Sequence, residues 1–147
     1  MLFASEAQGD TRLRVKTYEL ATTQSTDLGG ANDASDYSVA WAPDGSWIAI
    51  DRNVASGASG ASGASQASNQ VWLVKPDGSQ SRVLLHEDGA SYSSLNWSPD
   101  GRHLLFSRYV LDLSAQAPGH FDIYVADILT GETRALVTGG DMPAFLP

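Results

Sequence analysis

The chain has 147 residues, 42% of them hydrophobic, which is enough for one domain with a core of its own and too few for two independent ones. Its formal charge of −8, with only nine Lys and Arg scattered along it, excludes the clustered basic surface that displaces counterions from a nucleic-acid backbone. The absence of cysteine excludes disulfides, zinc–thiolate sites and thiol catalysis, and no run approaches the ~18 consecutive apolar residues of a membrane span.

In chain order, Met1-Leu2-Phe3-Ala4 runs straight into Ser5 and Glu6. It lacks the basic start and longer apolar region of a signal peptide, so any export signal would lie upstream or have been removed. Leu2 to Ser5, Val15 to Leu20 and Ser25 to Leu28 are each predicted as a short strand. A further strand ends at Trp41, and Pro43-Asp44-Gly45 turns the chain into the next, Trp47-Ile48-Ala49-Ile50. Proline presets φ for the first turn position, Asp bonds its own backbone, and Gly accepts the left-handed conformation that closes the hairpin.

A low-complexity Ala/Ser/Gly insert follows over residues 55–68, with glycine at every third position but no proline, so it is no collagen-like segment; with nothing to bury, it is expected to be a mobile loop. Then come Gln70 to Val74, the turn Pro76-Asp77-Gly78, and Arg82 to Leu85. After residue 88 the pattern starts again: Trp97-Ser98-Pro99-Asp100-Gly101 repeats Trp41-Ala42-Pro43-Asp44-Gly45 at a spacing of 56 residues. His103 to Phe106, Asp122 to Ala126 and Arg134 to Val137 repeat the three strands that follow, with Arg108 over Arg52. Removing the 13 residues Ala55 to Ala67 shortens the spacing to 43, within the ~40–45 residues of a propeller blade.

Each full unit is therefore four short strands, A to D. The expected organisation is an all-β chain of β-propeller blades of four antiparallel strands. Residues 1–29 supply B-C-D of a split blade, residues 30–88 and 89–139 one blade each, and residues 140–147 the beginning of a strand A. That amounts to about three blades, one divided between the termini, where closed rings use ~4–8. The expected partners follow: flanking blades missing from this chain, or a second copy completing a six-bladed ring with two-fold symmetry.

Trp-Ser-Pro-Asp-Gly before an apolar strand B, and an apolar strand C ending in Asp127 and Thr130-Gly131, resemble the TolB-type WD-repeat-like propeller repeat over nearly the whole chain. Ala42 in place of the usual Ser, and Ala21-Thr22-Thr23 where a Gly belongs, depart from that pattern at the turns. The resemblance implies a non-catalytic scaffold binding a protein or peptide. As an alternative it implies the substrate-gating propeller of a larger prolyl-oligopeptidase-like hydrolase. It also favours a periplasmic or extracytoplasmic setting.

Candidate chemistry is sparse. Gly57-Ala58-Ser59-Gly60 lacks the Gly-x-Ser-x-Gly strand-turn-helix of a nucleophile elbow. His86, His103 and His120 have no metal-ligand spacing and are expected as solvated loop residues. Asp44, Asp77 and Asp100 are expected to form turns, with no Asp-x-Asp-x-Asp-Gly run for calcium. No cofactor is expected. Trp41, Trp72, Trp97, Phe106 and Tyr124 recur at matched strand positions and are expected as core between blades. The D–A and B–C loops of a propeller share one face, which would gather Asp33, Asp36, Asp88, Asp112, His120 and Asp141 into an acidic rim; Tyr92 and Tyr109, near loop ends, are the aromatic contact candidates.

Overall fold

A computed structural model describes residues 2–6, 12–29, 34–55, 67–87, 90–110 and 119–145. The Ala/Ser/Gly tract between 56 and 66, and with it the expected mobile loop, lies outside the described residues.

The described chain is all-β. A three-stranded sheet is formed by β1 (Leu2–Glu6), β2 (Leu13–Glu19) and β3 (Gln24–Asp27). The second sheet has β4 (Ala34–Trp41), β5 (Ile48–Ala55), β6 (Ala67–Val74) and β7 (Ser81–His86). The third has β8 (Ala90–Trp97), β9 (His103–Val110), β10 (His120–Asp127) and β11 (Thr133–Thr138). Every pairing is antiparallel between chain neighbours. The strands predicted from the repeat between residues 2 and 138 are present to within a few residues.

The turns form as their residues dictate. Gly45, Gly78 and Gly101 take φ of 73°, 74° and 68°. The preceding aspartates each accept a backbone N–H two residues on, from Ser46, Ser79 and Arg102, at 2.9 Å. Asp127 does the same for Leu129 at 2.8 Å. At the departure from the pattern, Thr23 adopts φ 55°, close to the 74° of Gly131 in the matched turn. The turn geometry is kept and a β-branched residue bears the strain.

Strand β5 opens on the apolar run Ile48-Ala49-Ile50 and is buried on both sides because its sheet lies between the other two. Ile48 and Ile50 pack with Val15 and Leu28 of the first sheet region. Ala49 turns the other way, into a larger core with Ala90, Leu95, Leu104 and Phe106 of the third sheet. Each such large apolar side chain contributes roughly 1.5–3 kcal/mol by leaving water, and the sheets stack through these shared layers.

The recurrent aromatics divide. Trp97 and Phe106 are buried, and Trp97 Nε1 donates across the sheet junction to the Ala40 carbonyl at 3.0 Å. Trp72 and Tyr124 are half-buried against the core. Trp41, expected in the core, is 37% exposed. Its matched residue Trp97 rests on the first strand of the sheet before it, and the three-stranded sheet has no such strand. Nor does a strand form over residues 140–145, where strand A was expected to begin. That segment folds back on the third sheet instead, with the Met142 amide donating to Ser107 Oγ at 3.1 Å.

Candidate functional site

Of the eight candidate binding residues, Asp33, Asp88 and Asp112 lie outside the described residues. Asp141 is exposed beyond β11 and turns a carboxylate oxygen to the Met142 amide at 2.7 Å. His120 opens β10, exposed, with Nε2 3.4 Å from Asp122 Oδ1. His86 and His103 likewise stand at strand ends. Tyr109 stacks at a tilt on Phe121, ring centroids 5.0 Å apart. Among the described residues no group of three or more His, Asp or Glu is arranged to hold a metal ion.

Asp36 corrects the expectation of a loop residue. It lies within β4, 1% exposed, because the strand begins at Ala34. Arg52 Nε donates to its Oδ1 at 2.6 Å, the Val15 amide to its Oδ2 at 3.1 Å, and Arg52 Nη2 to the Leu28 carbonyl at 3.0 Å. The Arg52 guanidinium also lies 5.4 Å from the Trp72 ring centroid. This ion pair fastens the first two sheets and is not offered to a ligand. Tyr92, expected near a loop end, is also buried, on β8, with its ring edge-on to Phe106 at 5.7 Å. Burial first, then the Glu87 carboxylate, pushes its phenol up to about 12.

The repeat makes the next junction an internal comparison. Arg108 stands where Arg52 does and lies 5.2 Å over the Tyr124 ring, donating to its hydroxyl at 3.1 Å. Its register partner on the inner strand is Tyr92 instead of an aspartate. Arg108 therefore pairs sideways with Glu87, and its buried Nε has no partner among the described residues. A cavity of about 420 Å³ opens beside it, lined by His86, Glu87 and Thr133 among others.

A residue that sequence reasoning passed over marks the other side of this junction. Asp51, one position along from the paired Arg52, points to the third sheet and is 3% exposed. Its Oδ1 is buried without a hydrogen-bond partner among the described residues. Burial, and second to it the Asp36 charge, raises this carboxyl to about 7. It lines a cavity of about 350 Å³ with Asn53, Asn69, Ser91 and Ser93, framed by Tyr37 and Phe121. Asn53 Nδ2 donates to Asn69 Oδ1, closing the wall between β5 and β6. Of the described candidate binding residues only Tyr92 lines this cavity, which sits at the D–A and B–C loop end of the sheets. The signal available in sequence was a carboxylate directly after the apolar run Ile48-Ala49-Ile50.

No protein-family model and no curated protein matches this chain. Among solved structures it is similar to tricorn protease, at 11% identity and a TM-score of 0.63 over 91% of this chain. It is also similar to TolB from Acinetobacter baumannii, at 18% identity and a TM-score of 0.61 over 91%. An oligogalacturonate lyase in complex with manganese gives 26% identity and a TM-score of 0.57 over 86%. The chain spans 11%, 29% and 30% of the length of these three. Their folds are β-propeller-like, and the stacked antiparallel four-stranded sheets of this chain fit them.

Proposed function

We propose that the chain is part of a TolB-type β-propeller that serves as a non-catalytic scaffold for a protein or peptide. The observation that carries this is the cavity at the loop end of the second sheet junction. It is concave, walled by amides and hydroxyls, framed by exposed aromatic edges, and built on rigid strands, as recognition sites are. The likeness to TolB is consistent with it. Selection of displayed peptides on the immobilised chain, followed by calorimetry, tests the reading. Convergent sequences binding at micromolar Kd or better are expected, and failure to enrich any sequence counts against it.

A second reading is a propeller portion of a larger hydrolase, favoured by the likeness to tricorn protease and to an acylaminoacyl peptidase from Pyrococcus horikoshii, of which this chain covers 11% and 23%. A Gly-x-Ser-x-Gly strand-turn-helix in flanking sequence of the same gene product would support it. Under either reading, further blades or a second copy cover the outer sheet faces. On one side these expose Leu20, and on the other Leu136, Val137 and Met142.

A further inference from the structure

We infer that the Asp51 cavity is a receptor for a single basic side chain, lysine or arginine, of the bound peptide. This rests on the peptide-binding reading above and names the group it recognises. A carboxylate nine-tenths or more buried with a bare oxygen destabilises the chain that carries it. Nothing within the described fold compensates Asp51, whereas its neighbour Asp36, equally buried, is fully engaged by Arg52 and the Val15 amide. Asp51 lines a cavity, so the side from which a missing donor can approach its carboxylate is the outside.

The rest of the lining specifies its charge and shape. Ser91 and Ser93 on β8 bring hydroxyl acceptors for the remaining N–H groups of an ammonium or guanidinium. Tyr37 and Phe121 at the entrance suit the methylene stem of a long side chain and attract a cation. A volume of about 350 Å³ accommodates one such side chain and not an element of secondary structure. A net charge of −8 steers basic segments toward the surface. A divalent metal ion would require several converging carboxylate or carbonyl oxygens, and among the described residues the lining has one carboxylate.

The test is a backbone amide NMR titration of the full chain with Nα-acetyl-lysine methylamide and Nα-acetyl-arginine methylamide. The neutral norleucine and citrulline counterparts serve as controls. Saturable shifts at Asn53, Ser91 and Ser93 are expected for the cationic pair, with the neutral pair at least about ten-fold weaker. The near-isosteric Asp51→Asn should abolish the preference for the cation while retaining the wild-type spectrum elsewhere. Phe121→Ala, away from the buried core, should weaken binding several-fold.

Equal binding of charged and neutral compounds, undiminished binding to Asp51→Asn, or shifts confined to other residues would each overturn the assignment. So would displacement of the lysine compound by micromolar Ca²⁺ or Mn²⁺ acting at these same residues. The two readings fail separately. Selected peptides that bind Asp51→Asn as well as wild type sink the receptor and leave the scaffold. Lysine binding at Asp51, with no peptide ever enriched, does the reverse.

Discussion

Thr23 and Asp51 each carry a cost that the fold does not need. Thr23 sits at φ 55° in a turn whose counterpart is a glycine. A side chain in the left-handed region costs roughly 1–2 kcal/mol, part of it returned by a more restricted unfolded chain. Thr23→Gly should raise stability by about 1 kcal/mol, measured as a higher urea midpoint at unchanged slope. Asp51 is the second. With its carboxyl raised from 3.8 to about 7, the folded chain holds a proton between those values that the unfolded chain has released. Its contribution to unfolding free energy therefore falls as pH rises through that window and is fully unfavourable above it. Asp51→Asn should stabilise the chain at pH 8, by of the order of a few kcal/mol, and leave stability at pH 3 nearly unchanged. The turn aspartates have the opposite sign. Side-chain and backbone donors of Ser46 for Asp44, the Ser79 amide for Asp77 and the Leu129 amide for Asp127 lower these carboxyls, so their support is lost below about pH 4.

At the scale of elements, the two sheet junctions use one plan with different chemistry. The first closes on a buried ion pair, the second on Tyr92 packed against Phe106. Removing one partner of a buried pair costs about 3–5 kcal/mol, whereas replacing both with apolar groups of similar volume is often neutral. Asp36→Asn should thus destabilise by that amount, and Asp36→Leu with Arg52→Met should recover most of it, as read from thermal melts of the single and double variants. The strands and turns were legible from the repeat because they depend on neighbours in sequence: the Pro-Asp-Gly turns form as a unit, and alternation sets each strand. The site was not. Asp36 and Tyr92 were placed in or near the D–A loop because a strand start is set by its ladder partner, and both pair with residues 16 positions on, Arg52 and Arg108. Asp51 was passed over because its burial depends on a sheet beginning at Ala90. Trp41 shows the converse: its matched position predicted core, but core also requires a neighbouring inner strand.

For the whole molecule, the stacked sheets end in faces that nothing in the described chain covers. Strand β11 is exposed along its full length, with Leu136 at 42% and Val137 at 48%. Apolar surface of this kind, on a strand with an unpaired edge, favours association. Light scattering during size exclusion should give a mass above 15.6 kDa that rises with concentration. Leu136→Lys with Val137→Lys should return it toward the monomer, and a concentration-independent monomer at high loading would show that these faces are solvated instead.

The hairpin of β5 and β6 stays in register to its last pair, Ala55 opposite Ala67. The chain leaves β5 and enters β6 at two adjacent points. For a flexible connection between two such points, each doubling of length costs about 0.6 kcal/mol of closure entropy. Since the pair stands at the same end of the sheets as the Asp51 cavity, an engineer grafting a second binding sequence between these strands can add residues beside the site without re-registering either of them.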